Sequence, residues 1–168
     1  EEALASIQAE IKARPGEARL RVFLFQLLTV LGRWERALNQ LDVCAELDAA
    51  HLLMARTYRE LIQCESLRGE VFAGRHTPLL FGAPEPWMAE LLEALRLDGL
   101  GHPAEAAALR GRAFEQAPAS PGTVDAAPFA WIADADNRLG PMLEAVLNGR
   151  YYWIPFSRIH RIDTTAPE

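Results

Sequence analysis

Apolar residues recur at helical spacing through most of the first 117 positions. In ARLRVFLFQLLTVL, Leu20, Phe23, Leu24, Leu27, Leu28 and Leu31 share one broad face, which predicts a helix. Gly32 breaks it. WERALNQLDVCAELD then sets Ala37, Leu38, Leu41, Cys44, Ala45 and Leu47 on a second stripe. A small residue is needed where two helices cross closely, and Ala37, five residues past Gly32, meets that need.

The same grammar returns. Gly101 lies 69 residues after Gly32, and Ala106 is again five residues on. WMAELLEALRLDGL precedes this glycine; HPAEAAALRGRAFEQAP follows it, with Pro103 suited to a first helical turn. The opening EEALASIQAEIKARPGE reads as the second helix of an earlier pair, since Ala3 stands 34 residues before Ala37. A spacing of 34, then about twice that, is the period of tetratricopeptide helix pairs. The pattern departs from that consensus at Ala49, where a proline is usual. The expected fold is mainly α: tetratricopeptide-like helical repeats over 1–117, with a small C-terminal α+β appendage over 118–168.

The middle pair is irregular. LLMARTYRELIQCESLRGEVF reads as a helix, but AGRHTPLLFGAPEP replaces its partner. Pro78, Gly82, Pro84 and Pro86 make that stretch a loop, and its apolar centre, Leu79-Leu80-Phe81, is expected to pack onto the helices in place of the missing one. Past Pro118, ASPGTVDAAP reads as a turn-rich join and FAWIADAD as a strand. GPMLEAVLNG reads as a short helix, with Pro141 at its start and Asn148-Gly149 at its end. RYYWIPF and SRIHRI read as two strands or one interrupted at Pro155, and Trp131 and Trp153 as largely buried. An isolated hairpin is not stable, so this piece must dock on the helices or pair with something past Glu168.

Composition narrows the class. Half of the 168 residues are apolar and the net charge is only −6, which supports a core and excludes general disorder. No apolar run approaches the roughly 20 residues of a membrane span, and no basic-then-apolar leader opens the chain. Opening at Glu1 without a methionine, the chain reads as a fragment. An acidic balance of 23 carboxylates to 17 cations argues against a general nucleic-acid binder. The cations are 16 arginines and a single lysine, Lys12. That bias suits planar contacts to carboxylates, though a GC-rich genome gives it too. Cys44 and Cys64 lie in helical segments without a CxxC or His/Cys cluster and read as free thiols.

Signatures of chemistry are absent. No GxxxxGK[ST] or GxGxxG follows a strand, and there is no HExxH, GxSxG or set of four Cys/His ligands. His51, His76, His102 and His160 are scattered over different elements. Asp134, Asp136 and Asn137 resemble the start of a calcium loop, but Arg138 and Leu139 stand where a ligand and glycine are needed. The two aspartates are instead expected to bond nearby amides or pair with Arg138. Glu90 and Glu93 fit a solvated helix face. From Gly149 to Ile162 no acid occurs, and Arg150, Tyr151, Tyr152, Trp153, Phe156, Arg158, His160 and Arg161 interleave base with aromatic. Such a run suits stacking on single-stranded nucleic acid, whereas the alternation of Tyr151 and Trp153 with Tyr152 and Ile154 fits a half-buried strand.

Four runs carry a family resemblance. Arg21–Leu41 (RVFLFQLLTVLGRWERALNQL), Thr57–Trp87 (TYRELIQCESLRGEVFAGRHTPLLFGAPEPW), Pro128–Pro141 (PFAWIADADNRLGP) and Leu147–Ile162 (LNGRYYWIPFSRIHRI) resemble the ImpE/TagJ family of type VI secretion accessory proteins. The likeness spans essentially the whole chain. It implies a cytoplasmic, non-enzymatic adaptor without cofactor or metal, and a chain longer than this one at both ends. The implied partners are the small subunit of the contractile sheath, through its N-terminal region, and the AAA+ ATPase that disassembles contracted sheath; neither nucleic acid nor membrane is among them.

The residues themselves agree in kind. Stacked helix pairs leave a concave face lined by the first helix of each pair. Register places Arg19, Gln26 and Thr29 there from one pair, and Arg56, Glu60 and Gln63 from the next. These six are the candidate protein-binding residues, against the plainer reading of a solvated face with Arg56 and Glu60 as an i,i+4 pair. The two-carboxylate clamp of chaperone-binding tetratricopeptide domains needs Lys and Asn where Val22 and Gln26 stand, so a C-terminal carboxylate ligand is not expected. A short amphipathic helix suits the groove better.

Overall fold

The structure, a computed structural model, describes residues 2–164. It divides into two compact units, Glu1–Ser66 and Leu67–Glu168, with the boundary inside one long helix.

The first unit is helical. It contains α1 (Glu2–Ala13), α2 (Ala18–Val30), α3 (Trp34–Leu47), a 3-10 turn (Ala49–His51) and the greater part of α4 (Leu52–Phe72). Its core gathers one stripe from each helix: Leu4, Ile7 and Ile11; Leu24, Phe25 and Leu28; Ala37 and Leu41; Ala55 and Ile62. Between α2 and α3, Gly32 takes φ +66°, and the Arg33 amide donates back to the Leu28 carbonyl at 2.9 Å. That six-to-one bond closes a helix through a residue in the left-handed region, where glycine has no Cβ to clash. Ala37 is fully buried, as the close crossing requires.

The second unit repeats this device. Past the last turns of α4 come α5 (Pro86–Gly99) and α6 (Pro103–Gln116), joined at Gly101 with φ +82° and the His102 amide bonded to Leu97 at 2.9 Å. Ala106 is fully buried. The helix pairs read from the 34-residue period are therefore present as α2–α3 and α5–α6, and the fold is mainly α and tetratricopeptide-like.

The strands correct several expectations. Met142–Leu147 is a strand, β4, not a helix; it pairs antiparallel with β5 (Arg150–Pro155), with Glu144 opposite Trp153. Asn148 and Gly149 take φ +51° and +69°, a two-residue hairpin turn rather than a helix stop. Leu79–Leu80 form β1, parallel to β5 in the sheet order β1-β5-β4, so this segment joins a sheet instead of replacing a helix. Pro78 is buried, while Leu79 and Phe81 are 37% and 46% exposed. In FAWIADAD only Phe129 is in a strand: β2 (Gly122–Val124) and β3 (Ala127–Phe129) form a separate hairpin within the expected join. Trp131 is 69% exposed, against expectation, whereas Trp153 is fully buried. Beyond a 3-10 turn at Phe156–Arg158, residues 159–164 form no strand. The appendage is thus built from strands, without the expected helix.

Candidate interaction surfaces

Four of the six candidate residues are well exposed. On α2, Arg19 and Gln26 are exposed, while Thr29 is half-buried and its hydroxyl donates to the Phe25 carbonyl at 2.9 Å. On α4, Arg56 and Gln63 are exposed and Glu60 is half-buried. Among the described residues no ion pair joins Arg56 to Glu60.

Each set lies along a stripe that also exposes apolar surface. Arg19, Phe23, Gln26 and Val30 follow one another at helical spacing, and Phe23 and Val30 are 52% and 84% exposed. Leu53, Arg56, Glu60 and Gln63 do the same on α4, with Leu53 78% exposed. The two stripes do not meet through the aromatic contact between these helices. Phe25 packs against Tyr58 with centroids 5.2 Å apart, and Arg56, Glu60 and Gln63 lie roughly 140–200° around α4 from Tyr58.

The aromatic–basic stretch is mostly consumed by the fold. Tyr151 and Trp153 are buried, Tyr152 and Phe156 half-buried. Arg158 donates to the carbonyls of Phe81 and Ala83 and to the Glu85 carboxylate, the last two at 2.6 Å. It fastens the β1–α5 loop rather than facing solvent.

The best-built polar arrangement lies in the second unit, and sequence reasoning missed it. The Trp153 indole N–H donates to the Tyr151 hydroxyl at 2.7 Å, and that hydroxyl donates to the Glu144 carboxylate. Arg68 grips the same carboxylate side-on, donating from Nε and Nη2 at 2.8 and 3.1 Å. Burial and then the bond to Glu144 push the Tyr151 phenol upward. Phe72 packs on Trp153 and receives the guanidinium groups of Arg68 and Arg138, 4.6 and 4.3 Å from its ring centre. The signal was the i,i+2 placement of Tyr151 and Trp153 on one strand face; its partner was hidden because Glu144 was read as helical.

Asp134 and Asp136 behave as the sequence reading had them. Asp134 accepts from the Asp136 amide at 2.8 Å, and Asp136 accepts from the Arg138 amide and guanidinium. The Arg138 side chain holds the Asp136 carboxyl down at about 2. Among the described residues Cys44 and Cys64 form no disulfide; both are buried, and burial raises both thiols. Glu93 pairs with Arg96 at the surface. Among the described residues no cluster of three or more His, Cys, Asp or Glu gathers to hold a metal, and no helix is long and apolar enough to cross a membrane.

Known proteins share this architecture. A crystal structure of protein VPA1032 from Vibrio parahaemolyticus is similar, with a TM-score of 0.85 and 25% identity, over 93% of this chain and 59% of that one. The type VI secretion system accessory component TagJ of Pseudomonas aeruginosa strain PAO1 is 54% identical over 167 residues. That alignment takes in 99% of this chain and 59% of TagJ, so the chain spans well under two thirds of the relative's length. Residues 126–168, which include the β4–β5 hairpin with Glu144, Tyr151 and Trp153, match the family described as ImpE protein. The chain is thus similar to the ImpE/TagJ family, by the family model in its strand region and by TagJ along nearly its whole length.

Proposed function

We propose that the chain is a protein-binding adaptor of type VI secretion. The observation that carries this reading is the 54% identity to TagJ, an accessory component of that system, along 99% of the chain. On this reading the accessory role is one of binding rather than catalysis, exercised in the cytoplasm. The partners are the sheath small subunit, through a short N-terminal helix, and the AAA+ ATPase that dismantles contracted sheath.

The exposed stripes support a helix ligand. Phe23 and Val30 on α2, beside Arg19 and Gln26, and Leu53 on α4, beside Arg56, Glu60 and Gln63, are two separate stripes that each offer apolar contact flanked by groups that fix register. Co-purification with the sheath subunit and with the ATPase, each alone, tests the reading. Retention of the sheath subunit supports it; retention of neither overturns it. Calorimetry with a peptide from the sheath subunit's N-terminus then locates the surface. Arg56→Ala weakens binding by about 1–3 kcal/mol where Arg56 meets a buried carboxylate, and by well under about 1 where it stays exposed. Unchanged affinity in Arg56→Ala combined with Gln26→Ala moves the site elsewhere, first to the region from Arg150 to Ile162.

A further inference from the structure

Within the first unit, α1, α2 and α3 enclose a groove of about 450 Å³. Ile11, Leu24 and Leu28 line it together with Lys12, Arg21 and Arg36, and no carboxylate does. In a chain of net charge −6 that is an unusual concentration of one sign. Nor are these cations neutralised by one another's neighbours. Lys12 and Arg36 join no ion pair among the described residues, whereas Arg14 nearby is held by Glu10 and Glu17. Among the described residues Arg21 has only a neutral partner, Gln40 at 3.0 Å, and its buried Nε bonds none of them.

A second groove shows what a neutralised wall looks like. It lies in the other unit, and its two arginines, Arg75 and Arg96, are each gripped by a glutamate, Glu70 and Glu93. The first groove lacks such counter-charges, so its concave, partly apolar wall concentrates positive potential. We propose that it is a docking site for an acidic segment of a protein partner, with carboxylates on Lys12, Arg21 and Arg36. Three cations around a short groove suit a few carboxylates; a nucleic acid draws its affinity from a longer track of phosphates, which the acidic balance of the chain opposes. The groove stands apart from the surface proposed above, because Arg21, Leu24 and Leu28 lie on the opposite side of α2 from Arg19, Phe23, Gln26 and Val30. Two surfaces on one helix would let the chain hold two proteins at once.

The test is fluorescence anisotropy on the intact chain with a labelled amphipathic peptide of about 15 residues bearing Glu and Leu, beside the same peptide with every Glu replaced by Lys. The acidic peptide binds, the basic one does not, and raising the salt weakens the acidic complex. Lys12→Glu with Arg36→Glu lowers affinity about ten-fold or more, while the same charge change in the other unit, Arg75→Glu with Arg112→Glu, leaves it within about two-fold. Lys12→Gln with Arg36→Gln, read the same way, serves where the reversal perturbs folding by circular dichroism, and loses about three-fold or more. Equal affinity in these groove variants, absence of acidic-peptide binding, or displacement of the peptide by an oligothymidine would each overturn the proposal.

Discussion

The two units solve the same problem with different materials. In residues 1–66 the interior is a set of aliphatic and aromatic faces, one from each helix, and the charged groups stay outside. Arg59 and Asp42, which link α4 to α3, are 36% and 50% exposed. In residues 67–168 a run of polar atoms starts from a fully buried indole and ends on Arg68, through Tyr151 and Glu144. Helices satisfy their own backbone, so their packing asks only for apolar complementarity. A three-stranded sheet of mixed direction needs its register fixed, and a directional chain of hydrogen bonds can do that where apolar contact alone would tolerate a slip.

The largest effect should come from removing the sheet's anchor. Trp153→Ala is expected to cost about 3–5 kcal/mol in denaturant unfolding, and Leu41→Ala in the first unit about 2–5. Trp153→Phe separates the two roles of the indole: it keeps an aromatic body but removes the donor to Tyr151. If Phe restores full stability, the polar chain does not stabilise the sheet, and the contrast between the units reduces to packing.

Next comes the carboxylate. Glu144→Ala removes the carboxylate that the Arg68 fork and the Tyr151 hydroxyl both bond, for an expected loss of about 1–3 kcal/mol. Asp42→Ala, which breaks the exposed pair with Arg59, should cost well under about 1. Equal losses from the two variants would show that burial of the Glu144 cluster confers nothing beyond a surface ion pair.

Acid sharpens the comparison in a different way. The folded state holds Asp136 at about 2, below its ordinary 3.8, because Arg138 binds the ionised form. A group depressed in this way contributes stability above its unfolded value and loses it as pH falls through the folded one. Unfolding midpoints should therefore drop between about pH 4 and pH 2, with a smaller drop in Asp136→Asn. Tyr151 acts at the other end: its raised phenol favours the neutral form, so stability declines as pH rises past the ordinary value of 10.0, and Tyr151→Phe removes that dependence.

The same contrast explains what could be read from the sequence. Helix positions follow from local periodicity and from stop signals such as Gly32 and Gly101, and all six helices stand where those signals set them. The strands depend on partners far along the chain. Met-Leu-Glu-Ala-Val-Leu is rich in helix formers, and Asn148-Gly149 ends a helix as readily as it turns a hairpin; pairing with Arg150–Pro155 decided between them. Leu79 and Leu80 carry no local strand signal at all, and only β5 makes them one. The candidate stripes on α2 and α4 were legible because register on one helix is a local property. The groove of Lys12, Arg21 and Arg36 was not, since its cations come from three helices and packing alone assembles them.

The smallest expected effect concerns the β2–β3 hairpin, the part of the second unit with the least to hold it. Asp125 and Ala126 form its turn with φ +49° and +67°. Both residues therefore occupy the left-handed region, where an alanine Cβ crowds the following carbonyl. Aspartate tolerates this conformation through its short polar side chain; alanine has no such compensation. Ala126→Gly makes the turn Asp-Gly, the pairing that two-residue hairpins favour. Relief of the strain outweighs the extra freedom glycine gains in the unfolded chain, so the hairpin should gain about 0.5–1 kcal/mol. Amide exchange at Val124 and Phe129, whose pairs are the hydrogen-bonded ones of this register, reads this locally, independently of global unfolding. Slower exchange in Ala126→Gly is the expected result. Faster exchange would mean that the turn is not held in this conformation, and the hairpin would then have to be described as a loop like the rest of the segment from Pro118 to Gly140.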